Sequence, residues 1–130
     1  MSSIFSKIVA GDIPAYKVAE SNDFLAFLDI APLAEGHLLV IPKKEVDNLF
    51  DLDDETYTGL MIFAKIIAIA MKKAIPCNRI GVTVIGLEVP HAHIHLIPIN
   101  GVHDMTFTRP KLNFTPEQFE AIAAKIKAQL

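Results

Sequence analysis

Three histidines stand at alternate positions in the segment Pro90-His91-Ala92-His93-Ile94-His95-Leu96-Ile97-Pro98. On an extended strand, successive side chains point to opposite faces of the sheet. The pattern predicts a strand over 89–99 with His91, His93 and His95 on one face, ~6–7 Å apart from one to the next. Ala92, Ile94 and Leu96 take the other face, which is apolar and packs on helices. This single segment asks for a sheet with one face covered by apolar elements and the other lined by imidazoles.

The flanking sequence supplies those elements. Ile4, Phe5, Ile8 and Val9 fall at helical spacing within 3–10, and Gly11-Asp12 and Pro14 end that helix. Residues 15–20 and 24–29 read as strands joined by the turn Ser21-Asn22-Asp23. Pro32 to Gly36 is a loop. Leu38 to Ile41 is a buried strand that stops at Pro42, and 43–50 reads as a short helix. The acidic cluster Asp51, Asp53, Asp54 and Glu55 complements the N-terminal dipole of a long helix reaching Ala74, which Pro76 cannot continue. Ile80 to Ile85 is a β-branched strand broken at Gly86. Thr115-Pro116-Glu117-Gln118 is a capping box that opens a final helix to about Ala128. These elements make an α+β fold of roughly five strands with a long helix and a C-terminal helix. No repeat or linker divides the 130 residues, so one domain, 1–130, is expected.

Composition narrows the partners. Lys and Arg number 12 against 15 Asp and Glu, a formal charge of -3, which argues against a nucleic-acid partner. The single cysteine, Cys77, allows no internal disulfide. The opening residues carry no long apolar core or cleavage site, and the apolar stretch Leu60–Met71 is interrupted by Lys65 and too short to span a bilayer. A cytoplasmic protein without a membrane partner is expected.

The histidine row allows three readings. It could be the polar face of a half-buried strand, though such a row without a task is costly to desolvate. Two imidazoles at i and i+2 could ligate zinc. Alternatively, the central imidazole could act as a nucleophile toward phosphorus, with its neighbours donating to the phosphate oxygens.

The chain resembles the histidine triad family, and most closely its Hint-like nucleotide hydrolases and their bacterial relatives. The resemblance rests on His91-x-His93-x-His95, on Ile4-Phe5-Ser6-Lys7-Ile8-Val9 and Asp12-Ile13-Pro14-Ala15, on Ala26-Phe27-Leu28-Asp29-Ile30-Ala31-Pro32, and on Gly36-His37-Leu38-Leu39-Val40-Ile41-Pro42-Lys43. These blocks fall in family order over about 3–100.

The resemblance implies hydrolysis or transfer at the α-phosphate of adenosine-type nucleotides, phosphoramidates or dinucleoside polyphosphates, through a nucleotidyl-histidine. His93 matches the nucleophile, His95 the phosphate-contacting histidine, His91 the supporting first histidine and His37 a fourth member of the network. Phe5, Ile8, Phe27 and Ile30 match the apolar lining of the nucleotide pocket, and Asp29 the carboxylate on the ribose hydroxyls. Lys43 and Lys44 read as solvated surface charges, and His103 as surface.

Departures lie in Val82–Val89, which is short where the family carries a longer Gly-rich loop. Leu87 stands where Gln is usual and Glu88 where Ser or Thr often sits, which removes side-chain donors to the phosphate. That change motivates an alternative, a nucleotide-binding module with little turnover. No cofactor is required by the resemblance, although magnesium could arrive with a polyphosphate substrate, and no metal is assigned to the site.

The family also implies a two-fold homodimer. Thr58, Ile62, Lys65, Ile69 and Lys72 share a stripe of the long helix, which either a second subunit or the chain's own C-terminal helix would cover. The tail from about 103 to 130 adds Phe119, Ile122, Ala123 and Ile126 as a packing face, placed over the pocket or the dimer surface.

Overall fold

A computed structural model describes residues 2–130. Five strands form one antiparallel sheet: β1 (Lys17–Glu20), β2 (Phe24–Leu28), β3 (Leu38–Pro42), β4 (Arg79–Thr83) and β5 (Ile94–Ile99), in the order β1-β2-β3-β5-β4. The helices are α1 (Ile4–Ala10), α2 (Asp54–Ala74) and α3 (Pro116–Lys127). The local signals act as read. Asp53 caps α2 by accepting from the Thr56 N–H, Lys72 and Lys73 occupy its last turn, and Thr115 and Gln118 close the capping box of α3.

The strand alternation splits the interior in two. Ala26, Leu28, Leu38, Val40, Ala92, Ile94 and Leu96 face α2 and α3 and join Leu60, Ala64, Ile67, Met71, Phe119, Ile122 and Ile126 in the larger apolar cluster. On the opposite face Leu25, Phe27, Leu39 and Ile41 pack with Phe5 and Ile8 of α1 in a smaller cluster. The register aligns one row across that second face. Phe27 pairs with Leu39, Leu39 with His95, and His95 with Thr83.

Four expectations need correction. The strand over 89–99 begins only at Ile94. His91 and His93 lie in irregular backbone before it, although the partition of faces holds, because Ala92 is buried with the helix-side cluster. The strand over 80–85 ends at Thr83. The helix over 43–50 is absent apart from a single 3-10 turn at Leu49–Asp51. The reason lies in its backbone and side chains, which are committed elsewhere: Val46 O accepts from the Ala92 N–H, and Glu45 reaches α1. Finally, α3 covers neither the pocket nor the stripe on α2. Its buried face packs on α2 and β1, with Phe119 stacked on Tyr16, while Ile62 and Ile69 stay about half exposed. No helix among the described residues is long and apolar enough to cross a membrane.

Candidate active site

A cavity of about 430 Å³ opens on the face of the sheet that carries α1. Phe5, Ile8 and Phe27 wall one side, His93 and His95 form its floor, and Glu88 and the well-exposed Leu87 and Ile30 stand at its rim. Phe5 meets Phe27 and His93 edge to face, with ring centroids 5.5 and 5.0 Å apart. Of the residues singled out by sequence, Phe5, Ile8, Phe27, Asp29, Ile30, Leu87, Glu88, His93 and His95 all line this cavity. His37 and His91 lie behind it, buried. Lys43 pairs with Glu20 at 2.7 Å, away from the cavity, and His103 is exposed.

Hydrogen bonding assigns a role to each imidazole. His93 Nδ1 lies 2.7 Å from the His91 carbonyl, which can only accept, so the proton sits on Nδ1. The lone pair of His93 Nε2 is therefore free. A second chain of bonds starts from the backbone. The Leu33 N–H donates to His37 Nδ1 at 3.0 Å, which puts the His37 proton on Nε2. That proton goes to His95 Nδ1, 3.0 Å away, which leaves the His95 proton on its own Nε2. The two neighbouring rings thus present opposite functions: His93 a lone pair, His95 a donor. Their centroids are 5.1 Å apart.

Burial keeps His37 and His95 neutral. It pushes His37 down to about 3 and His95 to about 4, and a charge on the adjoining imidazole would lower each further. The turn that delivers Leu33 depends on Gly36, whose φ of +89° is left-handed and whose missing Cβ would meet the Ile75 side chain at 3.1 Å.

His91 acts as an anchor. Its Nε2–H donates to the Pro42 carbonyl at 2.7 Å, so Nδ1 accepts from the Ser3 hydroxyl at 2.8 Å. Ser3 Oγ also accepts from the Ser6 N–H and so caps α1. Glu45 accepts from the Ser3 N–H at 2.6 Å and the Ser6 hydroxyl at 2.7 Å. These bonds tie α1, and with it Phe5 and Ile8, to the backbone that orients His93. Ser3, Ser6, Glu45 and Leu33 were not identified from the sequence. Only Ser3 left a local signal, a capping residue ahead of an apolar-periodic run.

Asp29 follows β2 and lines the cavity. One carboxylate oxygen accepts from the Ala31 N–H at 2.8 Å in a turn, and the other lies 3.6 Å from His37 Nε2. Burial raises its pKa. Ligand atoms of Asp29, His37 and His95 lie within 4.8 Å of one another, close enough to hold a metal ion. The proton that Leu33 holds on His37 Nε2 opposes such a use. It blocks the ligating nitrogen, and moving it to Nδ1 would set it against the Leu33 N–H.

The family model of the HIT domain matches residues 10–102, leaving 103–130 outside the matched span. An adenosine 5'-monophosphoramidase of Schizosaccharomyces pombe is 36% identical, with 100% of this chain and 99% of that protein covered. A Hit-like protein from Bartonella henselae, described as involved in cell-cycle regulation, superposes with a TM-score of 0.87 at 36% identity, over 99% of this chain and 96% of that one. A zinc-bound histidine triad family protein from Mycobacterium smegmatis gives a TM-score of 0.81 at 29% identity, over 99% and 93%.

Proposed function

This chain belongs to the HIT family, and from that premise we propose that it hydrolyses or transfers adenosine-type nucleotides at the α-phosphate through a covalent nucleotidyl-His93. The observation that carries this reading is the pair of opposed tautomers, an unprotonated His93 Nε2 beside a protonated His95 Nε2 in one apolar cavity. His93 Nε2 attacks the α-phosphorus. The P–N bond forms as the bond to the leaving group breaks, and the electron pair departs with the leaving atom. The His95 N–H stabilises the developing charge or protonates an amine as it leaves. Water then attacks the phosphorus, the P–N pair returns to His93, and the nucleoside monophosphate is released. The step uses no metal, and magnesium would enter only with a polyphosphate substrate. Phe5, Ile8 and Phe27 receive the base, and Asp29 the ribose hydroxyls.

The likeness to the adenosine 5'-monophosphoramidase of Schizosaccharomyces pombe supports the phosphoramidate arm. One feature favours binding with little turnover: Leu87 at the rim offers no side-chain donor to a phosphate. The two readings separate in one experiment. The wild type and His93→Ala are mixed with an adenosine phosphoramidate and with a dinucleoside polyphosphate, and product and intact mass are followed. The proposal expects product and an adenylyl mass increment with wild type only. Binding by the wild type without product or adduct would refute it.

We also read the functional unit as a homodimer. Strand β4 is a sheet edge, and beside it α2 exposes Ile62, Ile66 and Ile69.

A further inference from the structure

The first turn of α1 carries no acidic residue, yet a carboxylate holds its N-terminus. Ser3 is the N-cap, and its hydroxyl accepts from the Ser6 N–H, which makes one half of a capping box. The other half is an acceptor for the N–H of the cap residue itself, supplied in an ordinary box by the side chain three residues on. Here that side chain is Ser6, whose hydroxyl donates to Glu45 instead. Glu45, 42 residues along the chain from Ser3, provides the missing acceptor, so the box is completed from outside the helix.

Glu45 is exposed and does not line the cavity. Its segment grips the histidine row at two further points. The Pro42 carbonyl accepts from His91 Nε2–H, and the Val46 carbonyl accepts from the Ala92 N–H at 2.7 Å. Ser3 is the joint between these grips and α1. As the head of the helix it sets Phe5, whose ring meets both Phe27 and His93. Through its hydroxyl it holds the ring of His91, the residue whose carbonyl takes the His93 Nδ1 proton.

Resting on the reading of His93 as the nucleophile and of Phe5 and Ile8 as the base wall, we infer that Glu45 is a positioning residue that couples base binding to the alignment of His93. A base seated against Phe5 and Ile8 holds α1, and α1 holds Ser3. Ser3 in turn holds His91 and the carbonyl that keeps the proton on His93 Nδ1. Base binding thereby serves the chemical step and not adhesion alone. Without the carboxylate, the head of α1 is loose until a base fixes it. Binding energy then goes into ordering the helix, which raises KM, while the bound complex keeps its kcat. A neutral imidazole released from the His91 carbonyl distributes its proton over both ring nitrogens, so the tautomer of His93 reports the alignment directly.

Kinetics on adenosine 5'-phosphoramidate and nitrogen-15 NMR of the histidine rings test this in wild type, Glu45→Ala and Glu45→Gln. Glu45→Ala should raise KM about tenfold, as for loss of a charge-assisted hydrogen bond, with kcat within about threefold of wild type. Glu45→Gln keeps the shape and one acceptor oxygen, so its KM should rise only about threefold, and it carries the test if Glu45→Ala does not fold. In the ligand-free proteins, His93 should carry its proton on Nδ1 in wild type and on both nitrogens in Glu45→Ala, with Glu45→Gln between them. Adenosine 5'-monophosphate should return the variants to the wild-type pattern, and ribose 5-phosphate, which has no base, should not. Variants that keep the wild-type His93 pattern when ligand-free, or that ribose 5-phosphate restores, overturn the inference and leave the nucleophile in place. A fall in kcat with KM unchanged overturns it too. A wild type that cleaves no phosphoramidate and shows no spectral change with adenosine 5'-monophosphate overturns the proposed function itself, and this inference with it.

Discussion

Acidification should destabilise this protein through the His37–His95 pair, in a pH window above that of its carboxylates. Both rings are deeply buried, His37 at 1% and His95 at 7% exposure. Their folded values of about 3 and about 4 lie well below the ordinary 6.5. Between those limits the unfolded chain binds more protons than the folded one, so stability falls as pH falls. The pair's contribution is complete above 6.5 and is lost as pH drops through the folded values. At pH 5 the unfolded imidazoles are about 1.5 units into their protonated range, worth about 2 kcal/mol per ring and about 4 kcal/mol for the pair. That is a large part of a typical total of about 5–15 kcal/mol.

Burial lowers His91 as well and adds to the same slope. Glu20, Glu45, Asp53 and Asp104 are held below ordinary carboxylate values by their hydrogen-bonding partners, so their contributions are lost only at lower pH. Asp29, raised by burial, acts in the opposite sense and offsets part of the loss. Denaturant titrations at pH 7, 6 and 5 give the free energies directly. A loss under about 1 kcal/mol between pH 7 and pH 5 would show that the rings are not held neutral by the fold. His37→Gln should flatten the dependence by about half, since one of the two rings no longer titrates.

Other perturbations test other joints of the structure. Ser3→Ala removes the cap of α1 and leaves the buried His91 Nδ1 without its donor, for a loss of about 2–4 kcal/mol by chemical denaturation. A loss under about 0.5 kcal/mol would mean that the bond contributes nothing. Because α1 carries Phe5 and Ile8, the same variant should raise KM for nucleotide more than it lowers kcat. Ile66→Lys places a charge in the exposed apolar stripe of α2 and should convert a dimer at micromolar concentration into a monomer by sedimentation velocity. An unchanged sedimentation coefficient, or a monomeric wild type, would remove α2 from the interface.

Much of the fold was legible because its signals are local. Asp53, Thr115 and Pro116 mark helix starts through their own side chains, and alternation sorts Leu25 from Ala26 and Leu39 from Val40 onto opposite faces. The segment 43–50 misled because nothing within it announces that Val46 and Glu45 are engaged by residues far along the chain. His91 and His93 kept the predicted side of the sheet but not the strand, because the Val46 carbonyl takes the Ala92 N–H where a sheet neighbour would. Within the site, the histidine row and the aromatic wall were visible as spacing and as resemblance. The contribution of Leu33 was not, since a backbone N–H acquires meaning only once the chain has closed on itself.

The division of the interior by the sheet has a consequence for change over time. The aliphatic mass that sustains the fold lies under α2 and α3, while the cavity on the other face is lined by α1, by loops and by side chains of β2, β3 and β5. Substitutions at Phe5, Ile8 or Leu87 can therefore retune what is bound while the opposite layer keeps the strands in register. The shared element is the histidine segment, whose two faces serve the two layers at once. It is the part of the chain least free to drift.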